Sequence, residues 1–216
     1  MSIETERIFN YLSETYVGAN RLSNIFHSFS FCSRDSANRI SLVASTTKCI
    51  NFDKLTEWIY ESQPPQSADS LTFSHDYVYL IEFKAGDQVG HETKREKMIE
   101  GVIGKINDSH ETIYRKIISK IETIDAENIK LRFYLVVDIK KMGISPLAAT
   151  LASLSRGSSF SDPKIAALLQ IVLPDLKKGT IHPDHYDQID IWYSELFDTY
   201  LSAHKIIDID KMFTVS

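Results

Sequence analysis

The chain has 216 residues, 43% hydrophobic and 25% charged, the balance of an ordinary globular protein with a core large enough for one domain. Its formal net charge of −5 weighs against binding nucleic acid by bulk electrostatics, although a local basic face and acidic metal ligands remain compatible with it. No apolar run reaches the roughly 20 residues needed to cross a bilayer, and Met1–Arg7 is no basic-then-apolar leader, so a cytoplasmic setting without membrane contact is expected.

Residues 1–31 read as helical: Ile8, Tyr11, Leu12, Tyr16, Leu22, Ile25 and Phe26 recur near helical spacing, and Gly18-Ala19-Asn20 divides the stretch in two. Arg39 to Ala44 is a short β-like run, and Asn51 or Asp53 can cap a helix through Tyr60 that ends before Pro64-Pro65. Cys32 and Cys49 are too few for a disulfide scaffold and lack zinc-ligand spacing.

Ala68 to Phe73 and Tyr77 to Lys84 predict two strands joined through Ser74-His75-Asp76. A turn at Gly86 to Gly90 leads into a helix over 92–123, in which Gly101 and Gly104 either allow close packing or weaken the helix. Leu131 to Ile139 is nearly all apolar and reads as a central strand covered on both faces. Leu147 to Leu154 predicts a helix, Ser153 to Ser161 a mobile loop, and Asp162-Pro163 the start of a helix through about Leu173. Gln188 to Ser202 reads as an amphipathic helix and Lys205 to Phe213 as a last edge strand. The expectation is one α/β domain with a mixed central sheet flanked by helices. It comprises an N-terminal helical region (1–45), a core (46–140) and a C-terminal helical region with an edge strand (141–216).

The most informative residues are Asp69, Glu82 and Lys84. Side chains alternate faces along a strand, so Glu82 and Lys84 share a face with Val78 and Leu80. An acid, one residue, then lysine occurs five times in the chain, and only the copies at Glu82 and Asp138 sit at strand ends. A turn about the His75–Asp76 bond sets Phe73 opposite Val78, Leu71 opposite Leu80 and Asp69 opposite Glu82. Opposed Cβ atoms lie about 4.5–5.5 Å apart, so two such carboxylates repel unless a cation sits between them. Mg²⁺ or Mn²⁺ answers that need, using one or two carboxylates plus waters and phosphate oxygens, with the Phe83 carbonyl as a further ligand. A metal at that spot lowers the pKa of water and offsets charge developing on a phosphodiester. Lys84 stands beside it.

This spacing, Asp69…Glu82-x-Lys84 on a hairpin followed by a helix and a strand, resembles the PD-(D/E)xK nuclease superfamily, the restriction-endonuclease-like fold, over roughly residues 45–140. The resemblance implies Asp69 and Glu82 as metal ligands and Lys84 as the catalytic lysine. It also implies a further carboxylate from the preceding helix, Glu57 or Glu61, and polar groups from the following helix, where Lys94, Lys105 and Asp108 stand. The first motif reads Ser67-Ala68-Asp69 in place of Pro-Asp. Lys94, Lys97, Lys105, Arg115 and Lys116 form either a phosphate-contacting stripe or a solvated helix face.

The function expected is metal-dependent hydrolysis of phosphodiester bonds, in DNA first, with a role in defence against foreign nucleic acid by analogy. A homodimer and a protein partner stay open. The alternatives are a non-catalytic binding or scaffold protein on the same fold and a metal-dependent phosphatase or nucleotide hydrolase. Asp138 and Lys140 mark where the central strand leaves the core. Thr180 to Asp187, with His182 and His185, reads as a surface turn because Pro183 breaks a helical ligand face and no partner from another element is identifiable.

Overall fold

The computed structural model describes residues 1–16, 25–34, 39–154 and 162–213. Its centre is a six-stranded mixed sheet in which the strands lie side by side in sequence order. β1 (Phe26–Ser28), β2 (Lys48–Asn51), β3 (Ser70–Phe73) and β4 (Val78–Lys84) form an antiparallel meander. β5 (Leu131–Val137) and β6 (Tyr186–Tyr193) then add in parallel, as parallel neighbours must, through helical crossovers. This is the α/β class expected.

Helices cover both faces. One face, carrying Leu71, Phe73, Val78, Leu80, Phe133 and Leu135, packs beneath α1 (Ile3–Tyr16), α3 (Phe52–Tyr60) and α4 (Glu92–Glu111). The opposite face, with Tyr79, Ile81, Tyr134, Val136 and Trp192, is covered by α2 (Phe29–Cys32) and by Phe197 and Leu201. Period-two alternation is therefore strict along β4 and β5. It places Glu82 and Lys84 on the face beneath α4.

Local signals account for several boundaries. Asn51 caps α3 by accepting a hydrogen bond from the Lys54 amide at 3.1 Å. Asp162 caps α6 (Pro163–Ala167), with Pro163 in the first turn; the helix runs on through a π turn into α7 (Leu173–Gly179). α4 likewise continues through a π turn at Thr112–Ile117, where the Thr112 hydroxyl donates back to the Asp108 carbonyl at 2.9 Å, a bond that bends helices. Of its two glycines, Gly104 serves close approach: an added Cβ would meet the Gln66 side chain at 3.2 Å. α5 spans Pro146–Leu154. Most of the serine-rich stretch after it, like Gly18-Ala19-Asn20, lies outside the described residues.

Four expectations are corrected. Phe26, expected on a second N-terminal helix, opens β1 and pairs with Ile50. Arg39 to Ala44 forms only an isolated bridge, Ser41 to Arg34. The segment 188–202, expected as one amphipathic helix, is most of β6, then a 3-10 turn at Ser194–Leu196 and α8 (Phe197–Ala203). Ile189, Ile191 and Tyr193 point to one core and Trp192 to the other, so a period of two competes there with the helical spacing of Ile189 and Trp192. Pairing with β5 decides it.

The C-terminal edge strand is also absent among the described residues. Residues 205–208 cross the ends of β2 and β3, where the Ile207 amide donates to the Phe73 carbonyl at 2.8 Å and Asp208 accepts from the Lys48 amide at 3.2 Å. α9 (Ile209–Phe213) follows.

Candidate functional site

The hairpin register is the expected one: Phe73 opposes Val78, Leu71 opposes Leu80, and Ser70 opposes Ile81. Asp69 stands one residue beyond the ladder and is held by several bonds. Its carbonyl accepts from the Phe52 amide at 3.2 Å, and its Oδ2 accepts from the Phe83 amide at 2.7 Å. The loop before it is pinned to α4, because Asp108 accepts from the Gln66 amide (3.1 Å) and the Ser109 hydroxyl from the Ala68 amide (2.9 Å). Amide and carbonyl of a strand residue point to the same side, so the Phe83 carbonyl faces the gap that Asp69 borders.

Glu82 is fully buried. Its Oε2 and Asp69 Oδ1 converge on a single nitrogen, Lys105 Nζ, at 2.8 Å and 3.1 Å. Lys84 Nζ lies 2.7 Å from the other oxygen of Glu82 without the alignment of a directed hydrogen bond. Lys105 comes from the middle of α4, so the cation between the two acids is supplied by the protein. Asp53, in the first turn of α3, borders the same cluster and accepts from the Ser67 hydroxyl at 2.5 Å.

Electrostatics follow from this crowding. Burial, then the Glu82 charge, pushes the Asp69 carboxyl up to about 7, against the pull of Lys105 and the Phe83 amide. Burial alone would lower the Lys105 ammonium, but Glu82 and Asp69 overcome it and hold the proton well above the ordinary range. Burial also raises Asp53, with Ser67 opposing and Asp69 reinforcing the shift.

The other residues implied by the resemblance lie farther out. Glu57 is exposed and paired with Lys54 at 2.6 Å, reaching the cluster only through its charge at Asp53; Glu61 is exposed. Lys94 is exposed on the Lys105 side of α4, about 16 Å away along the axis, whereas Lys97, also exposed, is turned about 80° farther toward solvent. Arg115 pairs with Glu111 at 2.5 Å, and Lys116 sits over the Tyr60 ring at 5.0 Å. Asp138 closes β5 by accepting from the Lys141 amide at 3.0 Å.

Asp69 and Glu82 offer hard oxygen donors aimed at one position, which suits Mg²⁺ or Mn²⁺. Among the described residues no group of three or more His, Cys, Asp or Glu is arranged to hold a metal, so waters or substrate oxygens would complete the shell. The Lys105 ammonium would have to leave that position. Elsewhere the turn at 182–185 acquires the partner that sequence reasoning missed: His110 of α4, with Nε2 2.7 Å from His185 Nδ1 and its ring 4.4 Å from that of His182.

No protein-family model matches the chain, no curated protein resembles it significantly, and no solved structure matches it. No described helix is long and apolar enough to cross a membrane.

Proposed function

We propose that the chain is a metal-dependent nuclease that hydrolyses phosphodiester bonds, DNA first, with a restriction-endonuclease-like core. One observation carries the reading: Asp69 Oδ1 and Glu82 Oε2, from the two strands of one hairpin, share a single cation position beside Lys84. The order of hairpin, α4 and parallel β5 supports it. Bound there, Mg²⁺ or Mn²⁺ would activate water and offset charge on the phosphate. Asp69, fixed by the Phe83 amide, and Glu82, fixed by burial, would hold the ion. Lys84, partly exposed, would orient the attacking water or donate to a phosphate oxygen, and Lys105, once displaced, would become a second ammonium for that phosphate. Lys94, on the Lys105 side of α4, would meet an incoming strand continuing along the helix.

A second reading, a catalytically silent binding protein on the same fold, is favoured by Lys105 itself, which neutralises the acids without any metal. Incubation of plasmid, linear and single-stranded DNA with Mn²⁺ decides between them. Cleavage by the wild type, lost in Asp69→Ala and Lys84→Ala, supports the nuclease. No cleavage, and no calorimetric Mn²⁺ binding even with DNA present, supports the silent protein.

A further inference from the structure

A cavity of about 380 Å³ opens beside the acid cluster, lined by Phe31, Arg34, Arg39, Asn51, Asp53 and Asp69, a size within the roughly 300–1,000 Å³ of small-ligand sites. Asp69 belongs to both, so whatever fills the cavity abuts the cluster. Its contents are chemically mixed. Phe31 is 46% exposed, and its ring stacks on His27 with centroids 4.0 Å apart and planes 15° apart. The Arg34 guanidinium lies 5.8 Å from the Phe31 centroid.

Phe31 is held on one side by His27 and still keeps nearly half its surface open to solvent at the cavity. Both carboxylates that line the cavity are engaged by other groups. Asp53 is served by Ser67, and Asp69 by Lys105 and the Phe83 amide. A partly open π face with the Arg34 guanidinium near it, and Arg39 lining the same cavity, matches one ligand chemistry: a base with its attached phosphate. The base must be unpaired, since a duplex keeps its faces stacked inside.

We propose that this cavity binds one nucleotide of a single strand. The base lies on Phe31, the phosphate is held by Arg34 and Arg39, and the adjoining phosphodiester is presented to Asp69 and Glu82. This rests on the nuclease reading for what happens next, but not for binding. It commits the substrate to single strands or frayed ends.

The test is fluorescence anisotropy in EDTA with a labelled oligothymidylate of about eight nucleotides and a blunt duplex of equal length. The wild type binds the single strand more tightly than the duplex. Phe31→Ala weakens single-strand binding about ten-fold or more while Phe31→Trp retains it, and that rescue separates stacking from a folding defect. Arg34→Ala with Arg39→Ala lowers the slope of log K against log salt by about 1.4, two contacts at roughly 0.7 each. Equal binding by wild type and Phe31→Ala, no single-strand binding by the wild type, or a preference for the duplex overturns the subsite. Parallel Mn²⁺ cleavage assays keep the two ideas apart. Phe31-dependent binding without cleavage removes the nuclease and leaves the subsite, whereas cleavage with Phe31-independent binding does the reverse.

Discussion

Lys105 Nζ lies 2.8 Å from Glu82 Oε2, joining the middle of a helix to the fully buried carboxylate of the strand beneath it. The same ammonium reaches Asp69 at 3.1 Å. The helix thus closes over the hairpin with a charge that the hairpin requires.

Removing that charge takes the ammonium from Asp69 and leaves the fully buried Glu82 with Lys84 alone. Lys105→Met is expected to cost about 3 kcal/mol of stability, the low end for losing one partner of a buried ion pair. Adding Asp69→Asn to that background should recover part of the loss, since the two sites are coupled. Urea unfolding of the two single variants and the double variant checks both expectations; strict additivity would contradict the coupling.

The same substitution should open the cation position. Lys105→Ala is expected to bind Mn²⁺ at least about ten-fold more tightly than the wild type, and Mn²⁺ at a hundred times its Kd should return roughly 2.7 kcal/mol of stability to the variant. Calorimetric titration of both proteins measures this. Equal affinities would mean that the ion and the ammonium do not share a position.

The hairpin and its register were legible because the information is local: alternation in Val78 to Lys84, the turn at His75-Asp76, and the cap at Asn51. Lys105 was visible only as one of several polar candidates on α4, with Lys94 and Asp108, because nothing within α4 says how the helix is rotated over β4. His110 was hidden for the same reason, being brought to His182 and His185 by tertiary packing across some seventy residues. β6 was misread because Ile189 and Trp192 satisfy one period and Ile189, Ile191 and Tyr193 another. Phe31 closes the run read as helical and Arg39 opens the run read as β-like, and neither pattern says that the two, with Arg34 between them, line one cavity.

The imidazole group carries a pH dependence. Burial first, then His182 and His185, depresses His110 from 6.5 to about 4, and its Nδ1 is buried without a hydrogen-bond partner. The unfolded chain therefore takes up this proton before the folded one does. Stability contributed at neutral pH is lost as pH falls from about 6.5 towards 4. Denaturant unfolding at pH 7, 5.5 and 4.5 should show that decline, and His110→Phe should flatten it.

Cys32 and Cys49 approach to 3.6 Å between sulfurs. Burial, reinforced by Cys32, raises the Cys49 thiol, so spontaneous oxidation should be slow. A mild oxidant such as diamide should nevertheless join the two within one chain, and closing so short a loop should stabilise the protein by about 3 kcal/mol. Peptide mapping without reductant identifies the link; Cys32→Ser should abolish it.

The sheet is laid down in the order of synthesis, each strand beside the one before. β3 and β4 can therefore meet while the chain is still emerging, when Asp69 and Glu82 already adjoin and residue 105 has yet to leave the ribosome. Within that hairpin Lys84 answers Glu82 alone, and the ammonium that joins both acids arrives only with α4.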